Sequence, residues 1–121
     1  MKRIFVGMPA FEREFARLGF GDDLRTTIEL TLLQDPAAGV LIKETGGIRK
    51  LRVAVRGKGK SGGIRVFYFD YVAIEHVFLM AVILKGEQEN LDKAQRNTLG
   101  SVVQAIKQSQ ADGKGKKGRR R

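Results

Sequence analysis

The residues of this chain best suited to chemistry are cations gathered around a glycine-rich stretch, GKGKSGG, at residues 57–63. Lys58 and Lys60 lie inside it, Arg56 precedes it and Arg65 follows it. Ammonium and guanidinium groups bind phosphate oxygens and stabilise the negative charge that develops on them during a reaction. These residues are therefore suited to recognition or cleavage of a phosphate polymer.

The same stretch contains the Gly-Lys-Ser triplet of a nucleotide-binding phosphate loop, but the rest of that motif is missing. The motif needs a glycine at position 54, which is Ala54, and a helix after the triplet whose N-terminus faces the phosphates. The following residues, IRVFYF, are typical of a strand. Two interpretations remain: a hairpin loop loosened by glycine, or a loop that brings positive charge to another ligand.

The net charge of +10 is confined to two segments. Residues 43–65 contain eight Lys or Arg and one acidic residue, and residues 113–121 contain six Lys or Arg and no acidic residue. A local excess is typical of a surface that binds a polyanion. The alternative is a solvated basic tail that binds RNA or acidic partners without specificity.

Composition narrows the classes of protein and of site. A chain of 121 residues with 42% apolar residues fits one compact domain. It has no cysteine and one histidine, which argues against disulfides, a thiolate metal site and a histidine cluster. The longest apolar run, residues 77–84, is too short for a membrane-spanning helix, and the N-terminus has no signal-peptide pattern. We expect no metal, no cofactor, no membrane contact and a cytoplasmic location.

The N-terminal part predicts a strand followed by two helices. Residues 2–7 are typical of a short strand. Apolar residues at helical spacing then predict two helices, the second capped by Asp22 or Asp23 and ending before Pro36. We interpret residues 35–47, which contain three glycines and a short apolar patch, as a loop.

From residue 48 the apolar period changes to two, which predicts strands. Leu51 and Val53 alternate with Lys50 and Arg52, so one face of this strand is apolar and the other is cationic. In residues 64–71 the cationic face continues with an arginine and three aromatic residues: Arg65, Phe67, Phe69 and Tyr71. Such aromatic residues can stack on RNA bases, but core packing is the better interpretation of the two phenylalanines.

A third strand and a final helix complete the predicted fold. Residues 75–84 are typical of a central strand, and a helix with Asp92 as its cap follows near Leu91. We predict an α+β fold in which two N-terminal helices pack on a small, curved, mainly antiparallel sheet, with a C-terminal helix. Residues 1–108 form the predicted domain and residues 109–121 a disordered basic tail.

The order of elements and the residues together resemble the RelE/ParE superfamily of bacterial toxins, in particular its RelE-like group called HigB. The matching stretch is DPAAGVLIKETGGIRKLRVAVRGKGKSGGIRVFYF, continued by LKGEQENL. The resemblance covers roughly residues 1–107 and implies a toxin of a type II toxin–antitoxin system. It also implies metal-independent cleavage of messenger RNA on a translating ribosome, and neutralisation by a co-encoded antitoxin, often of helix-turn-helix type.

The resemblance also implies which residues form the site. Arg65 stabilises the phosphate in the transition state; Arg56, Lys58 and Lys60 bind the RNA backbone and include the acid or base; Lys85 completes the cluster. Crowding among these cations is a mechanism that lowers the pKa of a lysine and lets it act as a base. Three further residues are predicted to bind RNA: Lys50, Arg52 and Tyr71.

The chain departs from the family pattern at two places. Position 54 is Ala54, where some relatives carry a catalytic base, and no tyrosine matches the one that some relatives carry after the last strand. Two alternative functions remain at this point: poisoning of DNA gyrase, as ParE-like relatives do, and non-catalytic binding of RNA or the ribosome.

Overall fold

The computed structural model describes residues 2–55 and 63–120, with residues 112–120 described by their backbone alone. Its elements, in chain order, are β1 (Ile4–Gly7), α1 (Pro9–Arg17), α2 (Asp22–Gln34), β2 (Val40–Leu41), β3 (Ile48–Val53), β4 (Ile64–Tyr71), a 3-10 turn (Val72–Ile74), β5 (His76–Leu84) and α3 (Lys93–Arg120). The five strands form one sheet in the order β1-β5-β4-β3-β2. Strands β2 to β5 pair antiparallel and β1 pairs parallel with β5, which confirms the predicted α+β fold.

The two faces of the sheet carry two separate cores. On one face, which we call the hairpin face, alternate residues of the central strands pack against α1 and α2 through Phe11, Phe15, Ile28 and Leu32. The other face carries the lysine and arginine side chains that the alternation of β3 and β4 was predicted to place together, and we call it the cationic face. There a second core packs against α3 and the segment before it; its buried members are Ile48, Phe67, Phe69, Met80, Ile83, Leu91 and Val103.

Two local predictions were wrong. Residues 40 and 41, assigned to a loop, form β2, in which Val40 pairs with Lys50 and Leu41 with Arg49. A pair this short shows no periodicity, so only pairing with β3 reveals it as a strand. The N-cap of α2 is Gly21, while the two aspartates predicted as caps lie in its first turn, where their charge favours the helix dipole.

The start of α3 agrees with the sequence. The backbone N–H of Gln95 donates to Oδ1 of Asp92 at 2.8 Å, and the N–H of Asp92 donates to Oε1 of Gln95 at 2.9 Å. This reciprocal capping box confirms Asp92 as the cap.

The backbone of α3 is helical to Arg120, and the predicted domain boundary after residue 108, with a disordered tail, stays a prediction. Within the described residues, none of the helices is both long and apolar enough to cross a bilayer.

Tyr68 joins the sheet to the chain that leads into β2. Its hydroxyl donates to the Pro36 carbonyl at 2.7 Å and accepts from the Gly39 N–H at 2.9 Å, and its side chain is fully buried. Burial raises the pKa of Tyr68 above its ordinary value. The Tyr68 hydroxyl therefore links β4 to the segment before β2, and it loses its proton at a higher pH than an exposed tyrosine does.

We expect Tyr68→Phe to lower the free energy of unfolding by about 1–3 kcal/mol, because it leaves the buried Gly39 N–H without its acceptor. In the wild type, stability should fall as the pH rises above about 10, since the unfolded tyrosine loses its proton first. The variant should lack this contribution of Tyr68. Urea unfolding of both proteins at neutral and alkaline pH measures the two effects, and equal midpoints at neutral pH would contradict the role given to the hydroxyl.

Candidate functional site

A concave pocket of about 490 Å³ lies on the sheet where β3 ends, β4 begins and β5 ends. The described residues that line it are Arg52, Val53, Ala54, Val55, Gly63, Arg65 and Lys85. Three of these are cations, and none of these described lining residues is acidic. The pocket is therefore suited to an anion.

Strand pairing brings the three cations together. Arg52 and Arg65 are direct partners in the register of β3 with β4, on the cationic face. Beyond the end of β5, the backbone N–H of Lys85 donates to the carbonyl of Gly63 at 3.0 Å, which sets Lys85 beside the start of β4. Like charges directly opposite each other in a sheet repel. A bound phosphate relieves this repulsion, so the arrangement favours an anionic ligand.

The two arginines differ in how they are held. Arg65 is only 6% exposed, and its Nη1 donates to the Ile64 carbonyl at 3.3 Å, whereas Arg52 is exposed. A side chain locked by packing presents its donors in a fixed place, which is what stabilisation of a transition state requires. Arg65 is thus the pre-organised donor of the pocket, and Arg52 can follow a ligand.

Gly63, directly before β4, lies close to the end of β3, and its lack of a side chain makes this approach possible. Its φ is +54°, and a Cβ at this position would lie 2.1 Å from the carbonyl oxygen of Val53. Only glycine adopts this conformation without strain and also leaves room for the neighbouring strand. The sequence indicated a glycine-rich turn here, and the structure shows that Gly63 is required in it.

Of the predicted site residues, the structure brings Arg52, Arg65 and Lys85 together in the pocket. Lys50 lies two residues before Arg52 on the same face, and its Nζ donates to Oδ1 of Asn90 at 2.7 Å. The remaining predicted residues, Arg56, Lys58 and Lys60, lie outside the described residues. The roles of all seven stay predictions.

Tyr71 lies on the cationic face but not in the pocket. It is six residues beyond Arg65 along β4, which corresponds to about 20 Å. Phe67 and Phe69 lie between Arg65 and Tyr71 along β4, and their exposed fractions are 1% and 5%. Both belong to the core, as expected, so these two rings do not offer a stacking surface. Any contact that Tyr71 makes with RNA must therefore occur at a separate place.

One feature of the site, the contact of Asn90, gave no signal in the sequence, and another, the role of position 54, was left undecided by it. Asn90 orients Lys50 from 40 positions away, and no local pattern signals such a contact. Ala54 lines the pocket without a group that can transfer a proton. Arginine keeps its proton in proteins, so within the described part of the pocket Lys85 is the side chain that can exchange a proton. The described residues include no group of three or more side chains that could hold a metal ion.

No family model matches the chain. Among solved structures, a variant of the E. coli toxin RelE in the free state matches with a TM-score of 0.52 and 17% sequence identity, over 74% of this chain and 90% of that chain. The chain has the RelE fold. The E. coli RelBE toxin–antitoxin complex also matches, with a TM-score of 0.46 and 16% identity, over 66% of this chain and 93% of that chain. The expected resemblance is thus confirmed at the level of the RelE fold.

Proposed function

We propose that the protein is the toxin of a toxin–antitoxin pair and acts as a metal-independent endoribonuclease that cleaves messenger RNA on the ribosome and so inhibits translation. The observation that carries this proposal is the pocket in which buried Arg65 faces Arg52 beside Lys85. The RelE fold supports it, since a solved structure with this fold is described as a toxin. The protein acts where translation takes place, in the cytoplasm.

The reaction follows from the chemistry of RNA and of the pocket. The 2′-oxygen attacks the adjacent phosphorus, the bond from phosphorus to the 5′-oxygen breaks, and a 2′,3′-cyclic phosphate and a 5′-hydroxyl form. A base removes the proton of the 2′-hydroxyl, and an acid gives a proton to the departing 5′-oxygen. Arg65 stabilises the extra negative charge on the pentavalent phosphate through its guanidinium donors.

The other cations share binding and proton transfer. Arg52 and Lys50 hold the RNA backbone along β3, and Lys85 lies at the pocket, where a proton must move. Lys58 and Lys60, in the segment of the sequence between β3 and β4, supply the remaining acid or base, and Arg56 contacts the backbone. This division assigns charge stabilisation to arginine and proton transfer to lysine.

The dependence on translation is the decisive measurement for this function. The chain is expressed without any antitoxin, and the ends of messenger RNAs are mapped with translation running or blocked by an initiation inhibitor. We expect new ends inside coding regions only while translation runs. Cleavage that needs a divalent ion in the absence of ribosomes would contradict the proposal.

The same experiment separates the alternatives. DNA damage and arrest of replication without messenger RNA cleavage would indicate gyrase poisoning, as by ParE-like toxins. Neither cleavage nor DNA damage would indicate a binding module for RNA or the ribosome. The six basic residues in 113–121 favour that last alternative, because charge alone suffices for such binding.

The proposal also requires a partner that blocks the pocket. We expect an antitoxin, of helix-turn-helix type, encoded beside this chain. Co-expression of the neighbouring open reading frame should restore growth and yield a stable complex with the toxin on purification. An isolated gene without such a neighbour would argue against the toxin–antitoxin assignment.

A further inference from the structure

The cationic face carries a second feature at the opposite end of β4 from the pocket: a row of aromatic rings. Tyr71 packs against Phe69 with ring centroids 5.3 Å apart, Phe69 against Phe78 at 6.3 Å, and Phe78 against His76 at 5.8 Å. Phe69 is buried, but the other three rings are half-buried. We call Tyr71, His76 and Phe78 the aromatic shelf.

The register of the sheet places the shelf beside the edge strand β1. Tyr71 is the direct partner of His76, and His76 the partner of Ile4 on the edge strand β1, where Ile4 is 59% exposed. One face of the Tyr71 ring packs on Phe69, and no ring of the described residues covers the other. The stack of Phe69 and Tyr71 can thus be continued by a further flat ring.

The charge around the shelf favours a polyanion. Nζ of Lys107 lies 5.5 Å from the centroid of Phe69 and donates to the Gly46 carbonyl at 3.0 Å. Asp70 is engaged by Arg3 through two contacts of 2.7 and 3.2 Å, so its charge is balanced. Exposed Glu75 carries a negative charge next to the 3-10 turn. This charge disfavours a phosphate at that turn but does not disfavour a neutral base.

We infer that the aromatic shelf binds an unpaired base of single-stranded RNA, which stacks on the outer face of Tyr71 while Lys107 attracts the backbone. The inference rests on the proposed function and adds a second RNA contact about 20 Å from the pocket. Every base has a flat π-face, and exposed aromatic rings beside cations are the means by which proteins hold unstacked bases.

His76 supplies a polar contact for the edge of the base. Its Nδ1 lies 2.7 Å from the Ile74 carbonyl, which can only accept, so Nδ1 carries the hydrogen and Nε2 is left as an acceptor. Nε2 can then accept from a donor on the edge of the base. An apolar peptide would use neither this acceptor nor the positive charge, so RNA is the better ligand for this surface.

The chain offers a direct probe of the shelf, because it contains no tryptophan and two tyrosines. Tyr68 is fully buried, so quenching of tyrosine emission by a ligand reports on Tyr71. The full-length protein is titrated with a single-stranded 2′-O-methyl oligoribonucleotide, which it cannot cleave, and with an abasic oligomer of the same length. We expect quenching by the first and not by the second, because only a base can stack.

The variants test the ring itself. We expect Tyr71→Leu to bind a fluorophore-labelled form of the oligoribonucleotide, followed by its anisotropy, roughly 5- to 100-fold more weakly, the range for loss of one stacked base, and Tyr71→Phe to keep the wild-type affinity. Tyr68→Phe is the matched control and should keep the quenching. Equal affinity of Tyr71→Leu and wild type, or equal quenching by the abasic oligomer, would overturn the inference; thermal unfolding shows that each variant is folded.

Two further measurements show which RNA supplies the stacked base, and whether the aromatic shelf binds RNA even if the proposed cleavage activity is wrong. A photo-crosslinking amino acid at position 71 should join the protein to messenger RNA or to ribosomal RNA in a programmed ribosome, and either product supports the shelf. Crosslinks to ribosomal protein alone would overturn it. Binding is measured with RNA that cannot be cut, so a protein that stacks a base but never cleaves messenger RNA would disprove the endoribonuclease and leave the shelf intact.

Discussion

Arg65→Ala should reduce the rate of translation-dependent messenger RNA cleavage by roughly 10²–10³-fold, the loss expected when one donor to a developing oxyanion is removed. Arg65 is the buried, packed cation of the pocket, so no other described side chain can take its place without rearrangement. Because its donors act on charge that appears only in the transition state, binding of uncleavable RNA should weaken less than the cleavage rate. Primer extension on a defined message in a purified translation system measures the rate.

Two matched variants make this result specific. Arg65→Lys keeps the charge but loses the planar pair of donors, and we expect it to recover only part of the rate. Arg13→Ala removes an exposed arginine of α1 that does not line the pocket, and it should cleave like the wild type. If Arg65→Ala arrests growth and cuts messenger RNA at the wild-type rate, Arg65 has no role in the reaction.

Gly63→Ala should lower the free energy of unfolding by roughly 2–5 kcal/mol, through backbone strain at a positive φ and overlap with a packed neighbour. The added Cβ would lie 2.1 Å from the carbonyl oxygen of Val53, so β3 and β4 must move apart where the pocket forms. The carbonyl of Gly63 also accepts from Lys85, so the displacement should reach the cation at the end of β5. We therefore expect lower cleavage activity along with lower stability.

Gly86→Ala is the control for this prediction. Gly86 lies one residue beyond Lys85, and a Cβ there would have no heavy atom within 4 Å. Its backbone is outside the left-handed region, so alanine should be accepted with little change in stability. Urea unfolding of the two variants and the wild type gives the comparison. A midpoint for Gly63→Ala equal to that of Gly86→Ala would show that the turn relaxes without cost.

The local elements could be predicted because their signals lie close together in the chain. The alternation of Lys50 and Arg52 with Leu51 and Val53 indicated a strand with one cationic face, and the structure has this arrangement in β3. Asp92 could be predicted as a cap because a capping residue lies directly before the helix that it caps. In contrast, β2 has two residues and no periodicity, so it was assigned to a loop.

The composition of the site could be anticipated, but its geometry could not. The clustering of cations around residues 57–63 indicated a polyanion site, and in the structure Arg65, Arg52 and Lys85 line one pocket. That Arg52 faces Arg65 depends on the register of two strands, and a shift by one residue would turn one of them to the hairpin face. Tyr71 shares the alternation of Arg65, and β4 is a continuous strand that holds the two far apart.

The sequence by itself determined the kinds of residue, the faces on which they alternate, the positive charge and the absence of cysteine chemistry. The tertiary structure decided which of these residues meet. Lys85 reaches the two arginines because β5 runs antiparallel beside β4 and ends where β4 begins, and the positive φ of Gly63 lets β3 come close at that point. Contacts of this kind depend on packing between distant segments, and such packing leaves no signal in the local pattern of either segment.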